Sequence, residues 1–242
     1  MNLLGEAFAY LNDPFNWVRP SGILDLLGEH LRISALAVLA AMVVALPVGV
    51  LLGHVGRGGA FTVALSNVSR AVPTLALLTV FAVTPIGFGP TATTIALAVF
   101  AVPPVLTNTY VGFRGVDRDV VEASRAMGFS ERQVAMRVEL PLAMPLLMTG
   151  VRTAAVQVVA TATLAALVAG GGLGRIITLG FRQQDYGAVL AGAILVAVLA
   201  VLTELLLAAA SWALTPGPRR SLFPPPRRPA RGPEPLAAEV PL

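Results

Sequence analysis

Few side chains in these 242 residues are equipped for covalent or metal chemistry. There is no cysteine, and the two histidines, His30 and His54, stand in unrelated contexts. That leaves no thiol nucleophile, no disulfide and no imidazole cluster to ligate a metal. All seventeen basic side chains are arginine, so no Walker-type phosphate loop can be completed, because that motif needs a lysine after its glycines. Charge is the remaining chemistry, and it is concentrated: ten of the thirty charged residues lie in 112–141. There Arg114, Arg118, Arg125, Arg132 and Arg137 stand against Asp117, Asp119, Glu122, Glu131 and Glu139. The balance is zero, unlike a polybasic patch for phosphates or lipid headgroups.

The elements that position this loop follow from composition. Hydrophobic residues make up 56% of the chain and charged residues 12%, with mean hydropathy +0.78, too little polar surface for a soluble enzyme. Charge-free stretches at 33–53, 71–89, 91–111, 153–174 and 187–203, the last extended past Glu204 to 214, match the roughly 20 residues a bilayer helix needs. These predict an all-α polytopic membrane protein with five spans, or six if 140–151 crosses separately. Prolines 47, 73, 103 and 104 inside spans predict kinks. Five spans put twelve arginines on one side and four on the other, which predicts an external N-terminus and a cytoplasmic C-terminus in the cell (inner) membrane. Residues 1–20 lack the basic start and long apolar core of a cleavable signal. Residues 21–32 space Leu24, Leu27 and Leu31 helically and read either as an interfacial helix or as a linker before the first span. From 215 onward nine prolines and five arginines predict a disordered tail beside anionic lipid, and the high pI of about 10.6 belongs largely to that tail, so no nucleic-acid partner is expected. The organisation is then an external segment (1–32), a transmembrane domain (33–214) and a cytoplasmic tail (215–242).

Within 112–141 the pattern specifies shape. Asp119 with Glu122 three residues on can start a helix that carries Val120, Ala123, Ser124 and Met127 on one face. Gly128 stops it, as a residue tolerant of positive φ. Ser130 with Gln133 forms a second capping box, launching a helix through Val134 and Val138 that should end before Pro141. Two short helices about a sharp turn make a rigid knob on the cytoplasmic side, shaped to fit a groove in another protein.

The residues Glu122-Ala123-Ser124, Gly128, Val138 and Leu140-Pro141 fall at the spacing of the EAA loop. With them the chain resembles permease subunits of bacterial ABC importers, the MetI-like, binding-protein-dependent type. Ser124 stands in place of the second alanine and Val138 in place of the usual isoleucine. LTNTY at 106–110, RTAAVQ at 152–157 and ATATLAALVAGGGLG at 160–174 extend the resemblance to the osmoprotectant group, importers of glycine betaine, carnitine or choline. The resemblance implies a type I importer transmembrane domain whose loop couples to a separate ATP-binding subunit through Glu122, Ala123, Ser124, Gly128, Leu140 and Pro141. It further implies an extracytoplasmic solute-binding protein, expected as a separate chain because few residues precede the first span. A second permease subunit, identical or paralogous, completes the set. ATP and magnesium would then sit on the partner, and this chain would bind no cofactor and no metal and catalyse nothing.

Several residues keep two readings. Arg152 is either a pathway or subunit-contact residue or an arginine snorkelling to the interface; Glu204 is either that or a partner across helices. The glycines at 170–174 form an external loop, flexible or tightly turned. The spacings Thr161–Ala165–Ala169 and Ala188–Gly192–Val196 allow close helix approach, with or without a dimer seam. Methionine, a sulfonate or a phosphonate are alternative solutes, and an ATPase-independent secondary transporter is the rival class.

Overall fold

The computed structural model describes residues 2–214, so the proline- and arginine-rich tail at 215–242 lies outside the described residues. Two short helices, α1 (Leu3–Asn12) and α2 (Pro14–Val18), lead into α3 (Ile23–Val55). Then come α4 (Gly59–Ala71), α5 (Thr74–Ala82), α6 (Pro90–Arg114), α7 (Arg118–Ala126), α8 (Glu131–Gln133), α9 (Leu140–Thr161), α10 (Gly174–Gln183) and α11 (Tyr186–Leu214). A π-helical turn, Val134–Glu139, joins α8 to α9, and a 3₁₀ segment, Ala162–Val168, follows α9. Among the described residues every element is helical, as expected.

Among the described residues four helical runs are long and apolar enough to cross a membrane: α3, α6, the run Glu131–Val168 and α11. A fifth crossing can be assembled only from α4 and α5, which meet at 87°. The span read over 71–89 is therefore not a single helix: the kink expected at Pro73 is a break between α4 and α5. Pro73 has no N–H and holds the residue before it extended, and Val72 sits at φ −79°, ψ 120°. No separate crossing forms at 140–151 either, because those residues are the first half of α9. Nor is 23–32 a helix apart in the interface. It is the first three turns of α3, whose Ile23 and Leu26 pack with Leu173 and Ile176.

The core is the sandwich of α6 between α3 and α9. Its seam is a stripe of small residues on α3, Ala37, Ala41, Ala45, Gly49 and Gly53, all buried. Four-residue spacing puts them on one face. A Cβ on Gly53 would lie 2.6 Å from the Cβ of Phe113, and one on Gly49 2.8 Å from that of Thr109. The helices thus approach backbone to side-chain root, as small-xxx-small pairs do. Of the stripes expected from sequence, Ala188–Gly192–Val196 is taken up inside this chain, with Gly192 against Ile176 and Ile177 of α10. Gly53→Leu should overpack the seam at a cost of about 1–3 kcal/mol. The readout is thermal unfolding in detergent, with Ala40→Leu on the exposed side of α3 moving stability by less than about 0.5 kcal/mol.

Candidate coupling site

The knob at one end of the bundle is present, with a different cap from the one expected and with Ser124 apart from the other three residues read onto one face. Asp117, not Asp119, caps α7, its Oδ1 accepting from the Asp119 N–H at 2.9 Å. Val121 and Ser124 point inward, while Val120, Ala123 and Met127 are exposed together with Glu122. Val121 fixes that phase by packing with Phe113, Val116, Val134 and Ala143. Ser124 returns its hydroxyl to the Val120 carbonyl at 2.7 Å. The serine at the second EAA alanine position is therefore satisfied within its own helix.

Gly128 takes φ +87°, and a Cβ there would meet nothing within 4 Å, so its requirement is backbone conformation and not space. The Ser130–Gln133 capping box is formed, with Ser130 N–H donating to Gln133 Oε1 at 2.8 Å. Arg125 spans the turn and donates from Nε and Nη2 to both Glu131 oxygens at 2.9 Å. That carboxylate raises the Arg125 guanidinium above its ordinary value.

The second helix does not end before Pro141. Residues Glu131–Val168 form one helical run, with Pro141 inside it, because the preceding π turn re-registers the ladder. Leu140 N–H bonds to the Ala135 carbonyl, five residues back, and Pro141 sits where the ladder is already being re-phased. Leu140 packs on both the main core and the cluster under the knob. The knob and α9 are thereby one lever.

A charge cluster, absent from the sequence reading, ties this lever to α3. His54, in the last turn of α3, sets Nδ1 against Oε2 of Glu139, which is fully buried, and Nε2 3.2 Å from Glu131 Oε2. Arg118 Nη1 stands 3.9 Å from the other Glu139 oxygen, which has no hydrogen-bond partner. No local signal announced this pairing, since its members are 85 positions apart.

Deeper along the lever, Arg152 Nε lies 3.1 Å from Glu204 Oε1. The two charges join α9 to α11, and Arg152 does not snorkel free. At the opposite end the glycine loop is tightly turned. Gly171 and Gly172 have φ +87° and +78°. Gly172 N–H donates to Glu29 Oε2 at 3.0 Å, and Leu173 N–H to His30 Nδ1 at 3.3 Å. With Nδ1 accepting, His30 must donate from Nε2 to the Val159 carbonyl, 2.9 Å away. This buried histidine is a structural pin, also unforeseen.

Comparison with known proteins agrees with this architecture. The profile described as "Binding-protein-dependent transport system inner membrane component" matches residues 45–211. The choline transport system permease protein OpuBB of Bacillus subtilis is 36% identical over 188 residues, covering 78% of this chain and 86% of the relative. The glycine betaine/carnitine/choline transport system permease protein OpuCB of the same organism is 33% identical over 208 residues, covering 85% and 95%. A solved structure of the MetNI methionine ABC transporter in an inward-facing conformation superposes with TM-score 0.71 at 25% identity, covering 85% of this chain and all of the matched one. The chain belongs to the family of binding-protein-dependent transport system inner membrane components. It is a multi-pass membrane transport subunit with the MetI-like fold.

Removing His54 should leave the buried Glu139 with only the distant Arg118 contact at 3.9 Å, at up to about 3–5 kcal/mol. His54→Ala is expected to lower the unfolding temperature sharply, and adding Glu139→Gln should recover part of the loss. A double-mutant cycle in detergent measures the coupling.

Proposed function

We propose that this chain is the membrane-spanning subunit of an ATP-driven importer for quaternary-amine osmoprotectants such as glycine betaine, choline and carnitine. The observation that carries the reading is the knob. It is a capped double turn that exposes Val120, Ala123 and Met127 beside Glu122, and whose inner end continues without a break into α9. An ATP-binding subunit docking there would move α9 directly, with ATP and magnesium held by that partner. Glu122, Ala123 and Gly128 shape the contact; Leu140 and Pro141 belong to the transmission. The substrate class rests on the relatives, named for choline, glycine betaine and carnitine. A solute-binding protein would deliver from the glycine-loop side, which puts the N-terminus outside and the C-terminus in the cytoplasm. A second permease subunit would complete the pathway. The transmembrane unit is 33–214 with its coupling loop at 112–141, and its helix begins ten residues earlier, at Ile23.

Cells expressing this chain with its partner subunits should accumulate labelled glycine betaine, choline or carnitine, and cells lacking it should not. Uptake of methionine instead would overturn the substrate class. Gly128→Val forces a β-branched residue to positive φ at about 1–2 kcal/mol locally. Such a variant should still insert in the membrane but lose ATP-driven uptake while the ATPase keeps turning over. Ala123→Arg on the exposed face should abolish uptake at unchanged unfolding temperature; transport at the normal rate by both variants would remove the docking role.

A further inference from the structure

The end of the bundle opposite the knob uses its charges unevenly. Five acids and four arginines lie there, in 1–32 and 169–186. Four of the five acids are taken up by this chain's own backbone. Asp13 accepts from the Phe15 N–H at 2.9 Å, Asp25 from Ser21 at 3.0 Å, Glu29 from Gly172 at 3.0 Å and Asp185 from Ala188 at 2.9 Å. The arginines are left without them. Arg19 turns to the Tyr10 hydroxyl and lies over the Phe15 ring. Arg32, Arg175 and Arg182 are exposed, and among the described residues their guanidinium groups make no ion pair and no hydrogen bond.

These three cations are gathered around one groove. Two cavities, of about 710 and 510 Å³, open at this end. Arg32 of α3 and Arg175 of α10 line the first, between the start of α6 and the glycine loop. Arg175 and Arg182 line the second, beside Leu26 of α3. Arg175 belongs to both, so it stands on the ridge between them. The ridge is firm: Gly172 and Leu173 are pinned to Glu29 and His30, and Leu173 and Ile176, on either side of Arg175, are buried.

A firm groove with uncompensated guanidinium groups suits protruding carboxylates, which a guanidinium pairs through two parallel N–H donors. A single solute carboxylate would leave two of the three arginines unpaired, and a headgroup layer presents no protrusion to fill concavities of this size. We propose that this groove is where the solute-binding protein docks, with acidic side chains of its rim on Arg32, Arg175 and Arg182. This rests on the importer reading above, which puts the glycine-loop end outside, and adds the residues and the chemistry of the contact. The glycine loop continues the run Glu131–Val168, whose other end is the knob. A partner seated on Arg175 therefore bears on the same lever from its far end.

The test uses the complete transporter in proteoliposomes, titrated on the glycine-loop side with its solute-binding protein carrying choline or glycine betaine. Arg32→Glu with Arg175→Glu should raise the half-saturating concentration of binding protein about tenfold, with the rate at saturation changed by less than about twofold. Neither guanidinium holds anything within the chain, so the unfolding temperature should match wild type. Arg32→Lys with Arg175→Lys keeps the charge and should recover most of the affinity. Added salt should weaken wild-type docking and not that of the double glutamate variant. The loss should be equal for both solutes, because choline has no carboxylate; a loss confined to glycine betaine would assign the arginines to the solute and overturn the docking site. A loss that vanishes in vesicles of phosphatidylcholine alone would assign them to anionic headgroups and overturn it as well. An unchanged half-saturating concentration overturns the docking site alone. A wild-type transporter that no loaded binding protein drives overturns the importer reading beneath it.

Discussion

Inside a bilayer two helices gain little by burying leucines against one another, because lipid is as apolar as the side chains. What holds α3 to α6 is closeness: Ala37 to Gly53 present almost no side chain, and Thr109 and Phe113 fill the space. The rest of the fold is arranged on that contact. With α3 flush against α6, the last turn of α3 arrives beside the knob, where His54 meets Glu139. Its first turns arrive beside the glycine loop, where Glu29 and His30 take up the backbone N–H groups of Gly172 and Leu173. One helix thus pins both ends of the bundle, and each pin depends on the same seam.

Charge in this chain is used as fastening. His54, Glu131, Glu139, Arg118 and Arg125 knit the double turn to the bundle, and Arg152 with Glu204 fastens α11 to α9. An isolated arginine at mid-membrane costs about 2.5–3.5 kcal/mol on insertion scales, and a carboxylate at 3.1 Å offsets part of that. The outer face of α7, by contrast, leaves alanine, valine and methionine uncovered. A part fastened rigidly inside, with Val120, Ala123 and Met127 uncovered beside Glu122, is the arrangement expected of one that transmits force through contact.

The knob could be read in the sequence because its signals are local: Gly128 and the Ser130–Gln133 box act within a few residues of themselves. The cap of α7 was not fixed by the sequence because Asp117 and Asp119 are equally good candidates. The packing of Val121 on Phe113 chose between them, and that is a tertiary fact. The same limit applies to prolines. Pro47, Pro103, Pro104 and Pro145 all lie inside helices, while Pro73 breaks one by 87°. The histidine pins were invisible because each joins residues far apart in sequence, 85 positions for His54 and more than a hundred for His30. The small stripe on α3 was there to be read, but in a chain so rich in alanine it did not stand out from its background.

The π turn before Pro141 also sets an azimuth. Each residue of an ordinary α-helix advances about 100° around the axis, and a π turn accommodates one residue more than the α ladder would. The direction in which α7 faces, relative to the sides of α9 that carry Thr153 and Gln157, is therefore indexed by a single residue. Shortening the chain by one position between 134 and 139 would remove the residue that the π turn accommodates and let an ordinary α ladder run from α8 into α9, with Pro141 then set against an unbroken ladder.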